Sequence, residues 1–327
     1  MASPLHPQRV DVPLTSSAIF LVVAAKSDIV SDDDAATIRS VVSSVNDIAK
    51  NVAFRDPSAG LVCTVGIGSR VWDAVTGGKL PRPAELHPFK EVKGKKHTAV
   101  STPGDLLFHI RAERRDMCFE LERQLLDQLG DSVTVVDETV GFRYFDNRDL
   151  LGFVDGTANP TGDDISEAVL IDANDVSGNS INIVGGSYVV VQKYLHAMPN
   201  WRALSTEKQE AIIGRTKLDN VELDDAEGDN VQRSHKTLNT IEDDETGAEL
   251  DILRDNMPFG SPGAGEYGTY FIGYTRRLWV IEKMLQRMFV GDPPGLHDKL
   301  LDYSKATTGS VFFMPSMALL DRIGADD

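Results

Sequence analysis

Ala18-Ile19-Phe20-Leu21-Val22-Val23-Ala24-Ala25 is a continuous apolar run of β-forming character, far too short to cross a bilayer. Behind it, Asp32 to Lys50 starts on acidic residues and then places apolar ones near helical spacing, which predicts a helix. Leu61 to Ile67 and Leu106 to Ile110 are two more strand candidates, separated by a long connection containing Leu86-His87-Pro88-Phe89. Cys118, Leu121, Leu125 and Leu129 recur at steps of three and four, Gly130 ends that helical pattern, and Val133 to Val136 is a β-branched run. The order is β-α-β-β-α-β.

The second half repeats the rhythm with different residues. Tyr188 to Tyr194 reads as a strand, Thr206 to Arg215 as a helix, and Lys236 to Ile241 as a hairpin-like region. Thr269 to Tyr274 then reads as a strand, Trp279 to Phe289 as a helix and Val311 to Met314 as a strand. A doubled β-α-β-β-α-β order predicts an α+β chain of two ferredoxin-like halves, each an antiparallel sheet with helices packed outside. The expected domains are residues 1–150 and 151–327. Gly162 to Gly186 is rich in Asp, Asn, Ser and Gly, and Asp219 to Gln232 carries Glu222, Asp224, Asp225, Glu227 and Asp229, so both are expected to be solvated loops.

Composition narrows the function. The 327 residues are 41% hydrophobic and 25% charged, which is ordinary for a folded globular chain and unlike disordered or membrane sequences. A net charge of −17 repels phosphate backbones, so nucleic acid is not an expected partner. Cys63 and Cys118 cannot build a disulfide framework or a Cys-rich metal site. Met1 to Thr15 has one Arg and no apolar core of a secretion signal, so no membrane association and a cytoplasmic location are expected.

Three short segments could carry chemistry. Gly152-Phe153-Val154-Asp155-Gly156-Thr157-Ala158-Asn159-Pro160 sets a carboxylate among turn-forming residues, where backbone can approach a ligand closely. The plainer reading is an Asp that bonds its own turn or caps a helix. Arg254-Asp255-Asn256-Met257-Pro258-Phe259-Gly260 holds a permanent cation and a carboxamide two residues apart, which an extended segment directs to one face. His235 follows the acidic loop; a lone His in such a place is usually a surface or satisfied core residue. Zinc-type His pairs at four-residue spacing, Cys-x-x-Cys and the phosphate-binding Gly-x-x-x-x-Gly-Lys loop are absent from the sequence, and Gly185-Gly186 and Gly263-x-Gly265 read as turns.

Together the segments resemble the dye-decolourising peroxidases, specifically their cytoplasmic type B group. The resemblance runs over nearly the whole chain. It includes Ser101-Thr102-Pro103-Gly104-Asp105-Leu106-Leu107-Phe108-His109-Ile110, Gly141-Phe142-Arg143-Tyr144-Phe145-Asp146 and the Asp155 segment. Further on it takes in Gly214-Arg215-Thr216-Lys217-Leu218, Arg254 to Gly260, and Glu266-Tyr267-Gly268-Thr269-Tyr270-Phe271. It implies one haem b per chain, most of whose pocket lies in the second half, and peroxidase activity through a ferryl intermediate with dyes, phenols or other small organic reductants as electron donors.

By that resemblance His235 matches the axial ligand of the haem iron, a task that suits neutral imidazole. Asp298 matches the carboxylate that takes the other imidazole N–H, with Asp302 as its rival and a surface carboxylate as the plainer alternative. Asp155 would move the peroxide proton, Arg254 would face the haem and stabilise charge on the departing oxygen, and Asn256 would orient peroxide or water. Trp201 and the tyrosines are candidates for relaying electrons, although core packing is the commoner use of such residues. A homodimer or larger homo-oligomer is expected. The chain stops at Asp327, whereas several members continue into a tail that docks them in encapsulin shells, so encapsulin is not an expected partner. Two other functions compete: a haem-handling protein of the same superfamily, which needs His235 but not the distal trio, and a non-haem module in which Arg254 grips an anion.

The chain departs from the family pattern at Ala158, where type B members commonly carry the Glu of a manganese-binding carboxylate cluster; Glu222 and Glu249 match other acidic positions of that cluster. Manganese prefers several hard oxygen ligands, so losing one should weaken the site. Poor Mn(II) oxidation is the expected result, and Ala158→Glu should raise Mn(II) turnover in a steady-state assay. No gain on restoring the carboxylate would refute this explanation.

Overall fold

The computed structural model describes residues 6–175, 183–228 and 230–325. The first half contains β1 (Ser17–Ala25), α1 (Asp32–Ala53), β2 (Val62–Ile67), α2 (Trp72–Val75), the small hairpin β3 (Val92–Lys93) and β4 (Thr98–Ala99), β5 (Leu106–Ala112), α3 (Arg115–Leu129) and β6 (Val133–Phe142). After α4 (Asp164–Val169), the second half runs β7 (Ser187–His196), α5 (Met198–Arg202), α6 (Thr206–Ile213), α7 (His235–Asn239), β8 (Leu253–Arg254), β9 (Met257–Ser261) and β10 (Glu266–Thr275). It closes with α8 (Leu278–Phe289), β11 (Ser304–Ala306), β12 (Ser310–Met314) and α9 (Met317–Gly324).

All strand pairs in the large sheet are antiparallel, and its spatial order is β6-β1-β5-β2-β12-β7-β10-β8, with β11 on β7 and β9 on β10. Each half therefore places its fourth strand beside its first, then its third, then its second, which is the ferredoxin-like order expected from the doubled rhythm. The halves meet where β2 pairs with β12 through Ile67 and Phe313. Phe313 is fully buried there, with Trp72 and Tyr188 edge-on at 5.7 and 5.4 Å.

Helices cover one face of the sheet. The strand residues Ile19, Leu21, Val65 and Phe108 pack there against Val41 and Val45 of α1 and Leu121 of α3. Ser31 explains where α1 begins: its hydroxyl accepts the Asp34 amide, and Asp32, Asp33 and Asp34 sit where the helix dipole favours negative charge. The other face is buried largely by the sheet itself. Phe20 of β1 stacks on Tyr270 of β10 at 4.1 Å, so strands from the two halves lie face to face. Gly141 permits the approach, since a Cβ there would lie 2.6 Å from that of Met257.

Three local expectations change. Lys236 to Ile241 is not a hairpin: His235–Asn239 is a short helix, because the Ser234 hydroxyl accepts the Thr237 amide and Leu238 turns into the core. The second strand position of that half is filled instead by β8, with β9 extending the same edge. Within the expected loop Gly162 to Gly186, α4 forms where Ile165, Ala168 and Val169 give a helical apolar face that packs against the sheet. Residues 176–182 of that segment and Asp229 of the acidic loop lie outside the described residues, as do Met1 to Leu5 and the last two positions.

Candidate active site

His235 is the first residue of α7 and lines a cavity that opens to solvent. Its Nδ1 lies 2.6 Å from Asp298 Oδ2. Asp298 is completely buried, and its other oxygen accepts the Leu300 amide at 2.9 Å, so the carboxylate is fixed at both ends. A carboxylate can only accept, which puts the imidazole proton on Nδ1. Nε2 then keeps its lone pair and has no hydrogen-bond partner among the described residues. Asp302 stands elsewhere: it receives Lys96, His97 and His297.

Asp155, Arg254 and Asn256 line the same cavity. Asp155 lies in a turn in which its Oδ1 accepts the Gly156 amide at 2.7 Å, so the self-bonded turn exists, but the carboxylate does more. The Asn256 side-chain NH2 donates to both Asp155 oxygens, at 3.3 and 3.1 Å, while Asn256 Oδ1 accepts the Ile272 amide at 3.1 Å. That second bond fixes which way the carboxamide points. Arg254 belongs to β8, and alternation along the strand sends Asp255 to the opposite side, where its carboxylate receives the fully buried Arg111 at 2.7 Å.

Asn159 was not singled out from sequence. Its NH2 donates to the Arg254 carbonyl at 2.6 Å and its oxygen accepts the Arg254 N–H at 3.0 Å, a two-point clamp on the backbone that carries the guanidinium. The Asn-Pro pair that ends the Asp155 segment signalled a turn, but nothing in it signalled a partner 95 residues away. Burial pulls the Arg254 pKa below its ordinary value, and the Asp155, Asp251 and Glu249 carboxylates act against that pull.

Much of the remaining wall is apolar, with Ile252, Phe271, Ile281, Met284, Leu285 and Met288, beside polar side chains that include Gln192, His196 and Thr269. An apolar cavity with one uncommitted imidazole nitrogen and a cluster of ionic side chains suits a large, flat cofactor that carries a metal. Trp201 is a core residue: its indole N–H donates to the Leu151 carbonyl at 3.0 Å and its ring packs near Phe153 and Tyr303. Ala158 is on the cavity wall, Glu222 is shared by Arg215 and Lys236 at 2.7 and 2.8 Å, and Glu249 pairs in a β-bridge with Glu242.

Residues 7–143 match the family model for the Dyp-type peroxidase N-terminal region, and residues 146–319 match the one for its C-terminal region. The chain belongs to the Dyp-type peroxidase family. A dye-decolorizing peroxidase of Mycobacterium tuberculosis (strain ATCC 25618 / H37Rv) is 51% identical over 98% of this chain and 92% of its own length. Among solved structures, a variant of DypB from Rhodococcus jostii RHA1 in complex with heme is 54% identical, with a TM-score of 0.89 over 96% of this chain and 97% of that one. The encapsulated DyP-type peroxidase of Mycobacterium smegmatis is 50% identical, with a TM-score of 0.87 over 97% of both chains. These DypB neighbours agree with the type B resemblance. Among the described residues no helix is long and apolar enough to cross a membrane.

One cavity group gives this Dyp-type peroxidase a pH signature. Burial pushes the Asp149 carboxyl up to about 7, helped by Asp155 and opposed by the amides of Phe153, Gly152 and Leu151. In the unfolded chain the same group releases its proton near about pH 4. Between those values only the folded form keeps the proton, so this group's effect is a loss of stability as pH rises from about 4 to about 7, level beyond. Asp149→Asn should remove that decline in urea unfolding measured across the range. An unchanged slope would contradict the assignment.

Proposed function

We propose that the cavity holds one haem b through His235 Nε2, and that Asp155, Arg254 and Asn256 act on hydrogen peroxide beside it. The chain is a haem peroxidase, as its family and its relatives at about half identity indicate. The observation that carries the site assignment is the His235–Asp298 pair, which leaves a lone pair on a nitrogen of a cavity-lining residue. Bound there, the haem supplies the two-electron reduction of peroxide and the one-electron oxidation of organic donors. The balance is H2O2 plus two donors AH giving two waters and two radicals A.

The protein's own contribution is placement and proton movement. Asp155 accepts a proton from one peroxide oxygen and returns it to the other, which then leaves as water. Asn256 holds that carboxylate in place, and its own orientation is set by the Ile272 amide. Arg254 stabilises the negative charge on the departing oxygen, and the Asn159 clamp limits its backbone movement. Asp298 holds the His235 ring and makes Nε2 a stronger donor. A haem carrier would need His235 alone; the fixing of Asp155 and Arg254 favours the peroxidase. A cytoplasmic homo-oligomer that takes peroxide and small phenolic or dye donors completes this reading.

Mixing the haem-loaded ferric protein with one equivalent of peroxide should convert the Soret band stoichiometrically within milliseconds, and His235→Ala should lose axial ligation and turnover. A His235→Ala protein with unchanged haem uptake, ligation and turnover would remove the assignment. Under the same stopped-flow conditions Arg254→Leu should slow the reaction by about a hundredfold or more, the scale for losing a charge-stabilising donor, and by more than Asp155→Ala does. The opposite ranking would make proton transfer the dominant part of the barrier.

A further inference from the structure

Outside the cavity, the turn of the β3–β4 hairpin meets the short helical turn Lys299–Asp302. Three basic groups crowd there on one oxygen: Asp302 Oδ1 has His97 Nε2 at 2.7 Å, His297 Nε2 at 3.0 Å and Lys96 Nζ at 2.6 Å. The two imidazole rings come from distant segments, with centroids 5.0 Å apart at 64°. Both direct the same ring nitrogen, Nε2, to one point. A hydrogen-bonded strap between hairpin and turn would need only one of these contacts.

We propose that His97, His297 and Asp302 form a binding site for a divalent transition metal of the zinc class, separate from the haem cavity. The three ligand atoms lie within 4.8 Å of one another, and they are the group of His, Cys, Asp or Glu side chains among the described residues assembled closely enough to hold a metal ion. Ligands about 2.1 Å from a tetrahedral zinc stand roughly 3.4 Å apart, so small side-chain rotations complete the set. Two imidazoles with a single carboxylate suit zinc, copper or nickel rather than manganese or calcium, which prefer more oxygen.

Lys96 does not block the site. Its side chain is 57% exposed and can swing into water when a dication replaces its charge on Asp302. The hairpin that presents His97 is held firmly, because Gly94 packs so closely that a Cβ there would lie 1.9 Å from the Phe289 carbonyl oxygen. His297 is buried while His97 and Asp302 keep a partly open side, so water can complete the coordination and the ion can exchange. The net charge of −17 raises the local concentration of cations.

The site lies one turn along the chain from the residue that supports His235. Asp298 begins the turn that Asp302 ends, and Asp298 carries the His235 hydrogen bond. Calorimetric titration of the haem-loaded full chain with Zn(II) should show one ion per chain. His97→Ala and Asp302→Asn should each weaken binding by about tenfold or more, and His87→Ala, at a surface His–Glu282 pair, should leave it unchanged. Zinc-edge X-ray absorption should show two imidazoles. His97 lies on a hairpin turn outside the core, so that variant reports on binding even if Asp302→Asn impairs folding. Absence of stoichiometric binding, or binding that survives His97→Ala, would overturn the site.

Discussion

The active cavity depends on one hydrogen bond, between His235 Nδ1 and a carboxylate that water does not reach. An imidazole with two equivalent nitrogens has no reason to present one of them. Once Asp298 accepts from Nδ1, the tautomer is set and Nε2 is the nitrogen that keeps its lone pair. Asp298 can do this because its remaining oxygen is occupied by the Leu300 amide and its own N–H by the Met288 carbonyl, which leaves it neither bare nor mobile. A short helix end, a buried turn and the end of α8 are thereby locked to one ring.

The wall that holds Asp155 and Arg254 follows the same rule, since each of these two residues, proposed to act there, is held by a neighbouring carboxamide. Asn256 spends its oxygen on the Ile272 amide and its nitrogen on Asp155; Asn159 spends both ends on the Arg254 backbone. Such supports cost little at the moment of reaction because they are already formed when substrate arrives.

How much of this was legible in the sequence follows from how local each signal is. The strands and long helices announced themselves through periodicity, and the doubled order carried the ferredoxin-like topology. The one-face relation of Arg254 and Asn256 needed only strand alternation. The short helix at His235 was misread because a few apolar and β-branched residues fit either period, and the Ser234 cap that decides the matter is a single hydroxyl. The Asn159 clamp, the Arg111–Asp255 pair and the His97 cluster had no signature, since each joins side chains from segments far apart in the chain. Residue type and spacing did not separate Asp298 from Asp302, which are one turn apart; only the resemblance favoured Asp298, and the fold gives the two different neighbours.

The Arg111–Asp255 pair has a temporal side as well. The first half has all four of its main strands once β6 ends at Phe142, but the counter-charge for Arg111 is encoded 144 residues after it. On the ribosome, the early half therefore emerges with a cation destined for the interior and no anion to meet it, and Phe20 emerges without Tyr270 to cover it. Docking of the late half neutralises the one and covers the other, so the nascent chain stays incompletely buried until most of it has been synthesised.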